Sequence, residues 1–168
     1  VWSEWKGFLL QELYEKAYDV LERGNFRLDH RSDRLKNRKR KVVENLRDEI
    51  DERKIKATLR TMSNRYLLSH RSHEITEHVR LAYSRGDKTL VLKVEHDRAS
   101  EYSQVHLSTV DVPGLFSMIT GVMAANGVNI LGAQIYTRSN GEALDILQVR
   151  SSAGSIIDSQ KKWQKVEK

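Results

Sequence analysis

Residues 108–130 read STVDVPGLFSMITGVMAANGVNI, and the only proline of the 168-residue chain, Pro113, lies in this stretch. The proline ring fixes φ and biases the preceding residue away from the helical region, so the strand before it has to end there. The apolar positions from Leu115 onward have helical spacing up to Asn126-Gly127, where a helix can stop. The stretch therefore predicts a strand, a tight turn, a helix and the start of a second strand.

The turn has features of a small ligand site. Gly114 lets the backbone turn tightly and approach a neighbour or a ligand. The helix that follows opens with free N–H groups and the positive end of its dipole, which can hold a carboxylate or an amide oxygen. Asp111 could either cap that end or bind an ammonium group. The same residues also fit an ordinary strand-to-helix turn, and the pentapeptide alone leaves both readings open.

Composition and charge limit the classes of protein to consider. The chain has no cysteine, which excludes disulfides, a cysteine nucleophile and zinc fingers. No window approaches the ~18 consecutive apolar residues that span a bilayer, and no signal peptide is visible, so we expect a cytoplasmic protein with no membrane partner. The chain lacks an initiator Met and begins inside a predicted helix, so we expect a piece of a longer protein. Its net charge of +6 lies entirely in residues 1–86 and residues 87–168 are neutral, which predicts a domain boundary near residue 86.

The two halves differ in their apolar periodicity. Residues 1–86 have helical spacing, whereas Leu90, Leu92 and Val94 alternate with other positions in a way that predicts a strand with one buried face. The dipeptide Asn140-Gly141 between two alternating segments is a strong hairpin signal. The predicted elements are helices at 1–23, from Arg34 to about Leu59 and at 73–85, a loop at 25–33, strands at 89–96, 104–111, 128–138 and 143–150, and helices at 115–126 and 155–167. Their predicted caps and stops are Gly24, Ser72 and Gly86.

Longer motifs make the second half recognisable. The segment DVPGLFSMITGVMAANGVNILGAQIYTRSNGEALDILQV, residues 111–149, resembles the first half of an ACT domain, the small βαββαβ module that senses amino acids. More narrowly, it resembles the first of two ACT domains in the bifunctional uridylyltransferase/uridylyl-removing enzymes of the PII nitrogen-signalling system. The upstream segment RYLLSHRSHEITEHVRLA resembles the part of those enzymes that joins their HD domain to the ACT pair, and WSEWKGFLLQELYEKAYDVL resembles the helix just before it.

This resemblance implies a fold, a ligand and partners. The expected fold is α+β, with a helical linker at 1–86 and an incomplete first ACT domain of the ferredoxin-like class at 87–168. The implied ligand is glutamine, bound by Asp111, Pro113, Gly114 and Leu115 and completed by Asn129 and Ile130. The implied partners are the PII protein, the catalytic domains and a second ACT domain. The parent enzyme would use Mg²⁺, whereas this segment lacks the nucleotidyltransferase and HD motifs and is expected to hold no cofactor, no metal and no catalytic residue.

Strand 89–96 is expected to complete the sheet. A βαββαβ sheet has the strand order 4-1-3-2, and no fourth strand of that kind follows the predicted last helix, which would leave strand 104–111 as an open edge. The short connection at 97–103 forces strand 89–96 into an antiparallel hairpin with strand 104–111. We therefore expect strand 89–96 to replace strand four, with Leu90, Leu92 and Val94 facing the two helices and Lys93 facing solvent.

Two other functions remain as alternatives. The run from Arg34 to Lys41 is strongly basic and could bind a phosphate backbone, although no aromatic residues or reading module accompany it, so a nucleic-acid partner is not favoured. The ACT-like half could also regulate a different amino-acid-controlled enzyme. A metal site at His70, His73 and His78 is disfavoured because a five-residue helical step points the last two apart, and His78 is expected at the edge of the core.

Overall fold

A computed structural model of the chain describes residues 7, 9–14, 17 and 27–167. Residues 7, 9–14 and 17 have helical backbone, in agreement with the first predicted helix, and its remaining positions lie outside the described residues. The helices that follow are α1 (Arg27–Leu46), α2 (Glu52–Thr61), α3 (Asn64–Ser69) and α4 (Ser72–Arg85). None of the described helices is long and apolar enough to cross a membrane.

Two predictions about the early helices are wrong. Residues 27–33 belong to α1 instead of a loop, because this polar segment contains neither glycine nor proline to stop a helix. The single helix predicted from Arg34 to Leu59 is divided after Leu46. Asp51 starts the new helix α2, since its carboxylate accepts hydrogen bonds from the backbone N–H groups of the second and third residues that follow, at 3.0 and 3.3 Å.

The next two helices are also set by their caps. Helix α3 is not predicted from the sequence; its N-cap is Ser63, whose Oγ accepts a hydrogen bond from the Tyr66 backbone N–H at 3.1 Å. The N-cap of α4 is Arg71 rather than the predicted Ser72, and the Glu74 carboxylate accepts a hydrogen bond from the Arg71 N–H at 2.6 Å. The predicted stop at Gly86 is confirmed, with a positive φ of 52°.

The second half forms a four-stranded antiparallel sheet with the order β1-β2-β4-β3. The strands are β1 (Leu90–Asp97), β2 (Tyr102–Val110), β3 (Val128–Thr137) and β4 (Glu142–Ser151), with helix α5 (Leu115–Ala125) between β2 and β3. Strand β1 pairs antiparallel with β2 along its whole length, so the expectation that residues 89–96 complete this edge is confirmed. The arrangement is α+β and ferredoxin-like, as the resemblance to ACT domains implies.

One face of the sheet packs against α5 and the final helix α6 (Gln160–Glu167). Met123 of α5 and Trp163 of α6 are buried there, and the indole N–H of Trp163 donates to the Ile157 carbonyl at 2.9 Å. The predicted inward positions of β1, Leu90, Leu92 and Val94, pack against this core, which confirms the assigned face. The last helix is shorter than the predicted 155–167. The buried Ile157 belongs to the segment that leads into α6.

The opposite face of the sheet is covered by α4, which corrects the expectation of a solvated face on β1. Val91 is buried, and Lys93 is half-buried, with its ammonium group 2.5 Å from the Glu77 carboxylate of α4 and 2.8 Å from that of Glu95. Lysine is tolerated there because both carboxylates compensate its charge. From Arg38 onward the described residues form one compact unit that includes these helices. Separate folding of residues 87–168 stays a prediction.

The two faces of β1 give a prediction about stability. Leu92→Asp should lower the free energy of unfolding by several kcal/mol, since it places an unpaired carboxylate in the apolar core. Lys93→Asp should cost about 1–2 kcal/mol, because it replaces an ion pair with a third carboxylate beside Glu77 and Glu95.

Urea unfolding measures both changes, with Arg150→Asp as the control at an exposed strand position. A neutral Leu92→Asp would contradict the packing of β1 on α5 and α6. A neutral Lys93→Asp would contradict the contact with α4.

Candidate functional site

The turn between β2 and α5 is built as the proline and glycine predict. Strand β2 ends at Val110, and Gly114 is the N-cap of α5, with a φ of 80° in the left-handed region. No side chain caps this helix end. The backbone N–H of Asp111 donates to the Gly141 carbonyl at 2.9 Å, and its carboxylate accepts from the Thr137 hydroxyl at 3.0 Å. The turn is therefore fixed to the hairpin that joins β3 and β4.

A pocket with a cavity volume of about 500 Å³ lies at this turn, open to solvent. One side is the start of α5, with its free N–H groups, and the other is formed by the facing strands β3 and β4. Its lining residues are Asp111, Val112, Pro113, Gly114, Leu115, Phe116, Ser117, Ile135, Ala143 and Asp145. The pocket thus combines a helix N-terminus with carboxylates and apolar side chains, a combination that suits a small zwitterion.

The structure brings together four of the six residues implied by the resemblance. Asp111, Pro113, Gly114 and Leu115 all line the pocket, whereas Asn129 and Ile130 do not. The latter two residues lie near the start of β3, at the other end of the sheet, and Ile130 packs against the core. They are separated from the pocket residue Ile135 by five to six strand residues, about 17–20 Å.

Asp145 is the pocket residue that the sequence reading misses. It lies on β4 opposite Leu107 of β2 and Ile135 of β3, is only 1% exposed, and has no hydrogen-bond partner on either carboxylate oxygen among the described residues. Burial, with a smaller contribution from Asp111, raises the pKa of Asp145 to about 6. Period-two alternation could have identified it, because a core position of β4, two residues before Leu147, carries an acid.

A polar cluster lies on the opposite face, between the helices and the sheet. The hydroxyl of Tyr66 is 2.6 Å from Nδ1 of His78, whose Nε2 is 2.7 Å from Nδ1 of His106 on β2. Burial lowers the pKa of His78 to about 3 and also lowers that of His106, so both rings stay neutral at physiological pH. His78, at 2% exposure, lies in the core itself and not at its edge.

The histidines predicted to be poor metal ligands have other contacts. Nδ1 of His70 is 3.1 Å from the Tyr66 carbonyl, while His73 is exposed. In the part of the chain that the structure describes, no group of three His, Asp or Glu side chains is placed to hold a metal ion.

Comparison with known proteins finds relatives along nearly the whole chain. A bifunctional uridylyltransferase/uridylyl-removing enzyme of Rhodospirillum rubrum is 36% identical over 164 residues, 96% of this chain. Proteins of the same name from Zymomonas mobilis and Azospirillum brasilense are 31% and 30% identical over 95% and 91% of the chain. The chain spans only 16–17% of the length of these relatives. No family model matches it.

The buried carboxyl gives a prediction for Asp145→Asn. Because the folded-state pKa of Asp145 is raised, ionisation costs folding energy above about pH 6, so the variant should gain roughly 1–3 kcal/mol of unfolding free energy at pH 7.5. As the pH falls from about 6 to about 4, the folded protein takes up a proton at Asp145 that the unfolded chain does not, and the gain should disappear.

Urea unfolding of the wild type and of Asp145→Asn between about pH 4 and pH 7.5 measures the difference in their unfolding free energies. The contributions of His78 and His106 are the same in both proteins and cancel in this difference. A gain that is independent of pH, or a loss at pH 7.5, would contradict an ionised and unpartnered Asp145.

Proposed function

Because the chain belongs to the family of the bifunctional uridylyltransferase/uridylyl-removing enzymes, as the counterpart of one segment of them, we propose that it senses glutamine and controls their two activities. The observation that carries this proposal is the pocket at the strand-to-helix turn of an ACT-like sheet, in a segment 36% identical to one of these enzymes. In the proposed role, glutamine binding favours removal of UMP from the PII protein, and its absence favours transfer.

The proposed ligand loop is Asp111, Pro113, Gly114 and Leu115. The N–H groups at the start of α5 can hold the ligand carboxylate, and the carboxylates of the pocket can hold its ammonium group. Asn129 and Ile130 are too far along β3 to touch the same small ligand within one chain. We therefore propose that they contribute from a neighbouring module, for which a second ACT domain is the candidate.

A path of contacts supports coupling between the pocket and the helices. The β3–β4 hairpin holds Asp111 on one side, and on the other Glu142 forms ion pairs with Arg138 and, at 2.6 Å, with Arg85 at the end of α4. Arg138 also donates from Nε to the Thr61 hydroxyl at the end of α2, at 2.9 Å. A ligand that pulls the turn and hairpin toward one arrangement would favour the matching arrangement of the helices, which is a population shift.

The catalytic chemistry is proposed to reside elsewhere in the parent enzyme. PII as substrate, Mg²⁺ as the metal of the nucleotidyltransferase site and a cytoplasmic location follow from the resemblance and remain proposals. Nucleic-acid binding by the run from Arg34 to Lys41 would rest on its basic charge alone and is not proposed. Within this run Arg38 donates to the Leu67 carbonyl at 2.5 Å and Arg40 pairs with Glu44.

Glutamine should perturb the turn selectively. In a ¹⁵N NMR titration of the 168-residue chain with millimolar glutamine, amide shifts are expected at Asp111, Val112, Gly114 and Leu115, and L-alanine should give smaller ones, because it lacks the side-chain amide. Stronger shifts with an amino acid other than glutamine would favour the module of a different amino-acid-controlled enzyme. Equal shifts with all amino acids, or none, would contradict glutamine sensing by this segment.

The hairpin contacts can be tested separately from binding. Glu142→Gln removes the charge that joins Arg85 to Arg138 but leaves the pocket lining intact, so glutamine should still shift the turn amides while its shifts in α4 should fall by at least half. The exposed pair variant Glu44→Gln is the matched control and should leave both sets of shifts unchanged. Unchanged α4 shifts in Glu142→Gln would show that coupling does not pass through the hairpin.

A further inference from the structure

We propose that Asp145 is the residue that recognises the α-ammonium group of the pocket's ligand and makes that group a requirement for binding. The inference rests on the proposed function only in that the pocket takes an amino acid; it does not depend on which one. It assigns a binding role to a residue on β4, outside the turn that the resemblance points to.

The first step is that Asp145 has no structural partner. Its two oxygens are buried without a hydrogen bond among the described residues, although buried polar groups in native proteins are nearly always paired. A carboxylate in this condition costs free energy, because burial removes its water and nothing replaces it. An unpaired buried acid is therefore more typical of a ligand site than of a purely structural position.

The second step is that the described residues around Asp145 supply no cation. The facing strand positions are Leu107 on β2 and Ile135 on β3, and α5 contributes Leu115 and Phe116 to the same pocket. Among the described residues, the charged group that acts on Asp145 is the carboxylate of Asp111, which has the same sign. The pair therefore creates a negative potential at the pocket, and a ligand cation relieves it.

The third step is access. Asp145 lines the pocket although it is only 1% exposed, and since neither carboxylate oxygen has a hydrogen-bond partner among the described residues, both can accept from a ligand that enters the pocket. Asp111, in contrast, is exposed at the rim and already accepts a hydrogen bond from Thr137. Asp145 is thus the acid whose hydrogen-bonding capacity is entirely available.

The fourth step identifies the chemical group. A primary ammonium has three N–H donors, enough to satisfy Asp145 and Asp111 at once. A divalent metal would need more oxygen ligands than two carboxylates supply, and the described residues hold no third acid there. The start of α5 lies on the other side of the pocket and favours a carboxylate. An α-amino acid carries an ammonium group and a carboxylate on one carbon. It therefore fits a small pocket with acids on one side and a helix N-terminus on the other.

The test compares amino acids with analogues that lack only the ammonium group. Isothermal titration at pH 7.5 would use the 168-residue chain with L-glutamine, L-asparagine and L-valine, and with their des-amino counterparts glutaramate, succinamate and isovalerate. The wild type should bind at least one amino acid ~10–100-fold more tightly than its counterpart, as expected for a charge-assisted hydrogen bond to a buried acid. In Asp145→Asn this preference should fall to about threefold or less, through loss of amino-acid affinity alone. Asp48→Asn, with the same change at an exposed position, is the control.

The outcomes separate this inference from glutamine sensing. If the wild type binds glutamine and glutaramate equally, or if Asp145→Asn keeps the full preference, the role of Asp145 is overturned while glutamine sensing stands. If another amino acid binds with the Asp145-dependent preference and glutamine does not, glutamine sensing fails and the role of Asp145 stands. Absence of binding by every amino acid at millimolar concentration would overturn the role of Asp145 in this chain. Since asparagine keeps the shape of the side chain and removes a buried charge, the variant is expected to fold.

Discussion

The structure depends on a β-sheet whose central strands, β2 and β4, are buried on both faces. Along β4, which lies between β2 and β3, side chains alternate between two layers: Leu147 and Val149 join the core beneath α5 and α6, whereas Leu144 and Ile146 point toward the side of α4. A one-residue shift in register would exchange the two layers completely, so one strand fixes both. The pairing of β1 with β2 also acts on both layers. It covers the edge of β2, adds Leu92 to the core beneath α5 and α6, and brings Lys93 into contact with α4 on the other side.

The position of the pocket follows from this topology. Strands β2 and β3 run parallel to one another on either side of β4, so the end of β2, the end of β3 and the start of β4 meet at the same end of the sheet. The turn into α5 therefore lies next to the β3–β4 hairpin, and Asp111 bonds to it through Gly141 and Thr137. Because the same hairpin bonds to α2 and α4 through Arg138 and Glu142, a ligand at the turn is separated from the helices by one short, hydrogen-bonded segment.

The sequence predicts what depends on local pattern. Pro113, Gly114 and Asn140-Gly141 mark their turns, and the alternation at Leu90–Val94 identifies both the strand and its inward face. What depends on tertiary contacts could not be read this way. Glu77 makes Lys93 acceptable on a covered face, and a carboxylate cap at Asp51 divides a segment whose apolar spacing is continuous enough for one helix. Asn129 matches the motif, but its distance from the turn follows only from the strand order. The alternation of β4 could have marked Asp145 as an acid on an inward position, but its lack of a partner and its place in the pocket follow only from the tertiary structure.

The two layers differ in the kind of contact that holds them, and this bears on how the sheet can act on the helices. The layer beneath α5 and α6 is apolar, and apolar contacts are non-directional, so they tolerate small displacements. The layer beneath α4 contains the chain from Tyr66 through His78 to His106, whose hydrogen bonds have narrow limits of distance and angle. Because burial lowers the pKa values of both histidines, this chain holds helix and sheet together without charge. A displacement of the sheet against α4 must keep these bonds or break them, and leaving them broken in a buried layer is costly. The polar layer therefore favours discrete arrangements over gradual sliding, which is the property that a two-state response to a ligand requires.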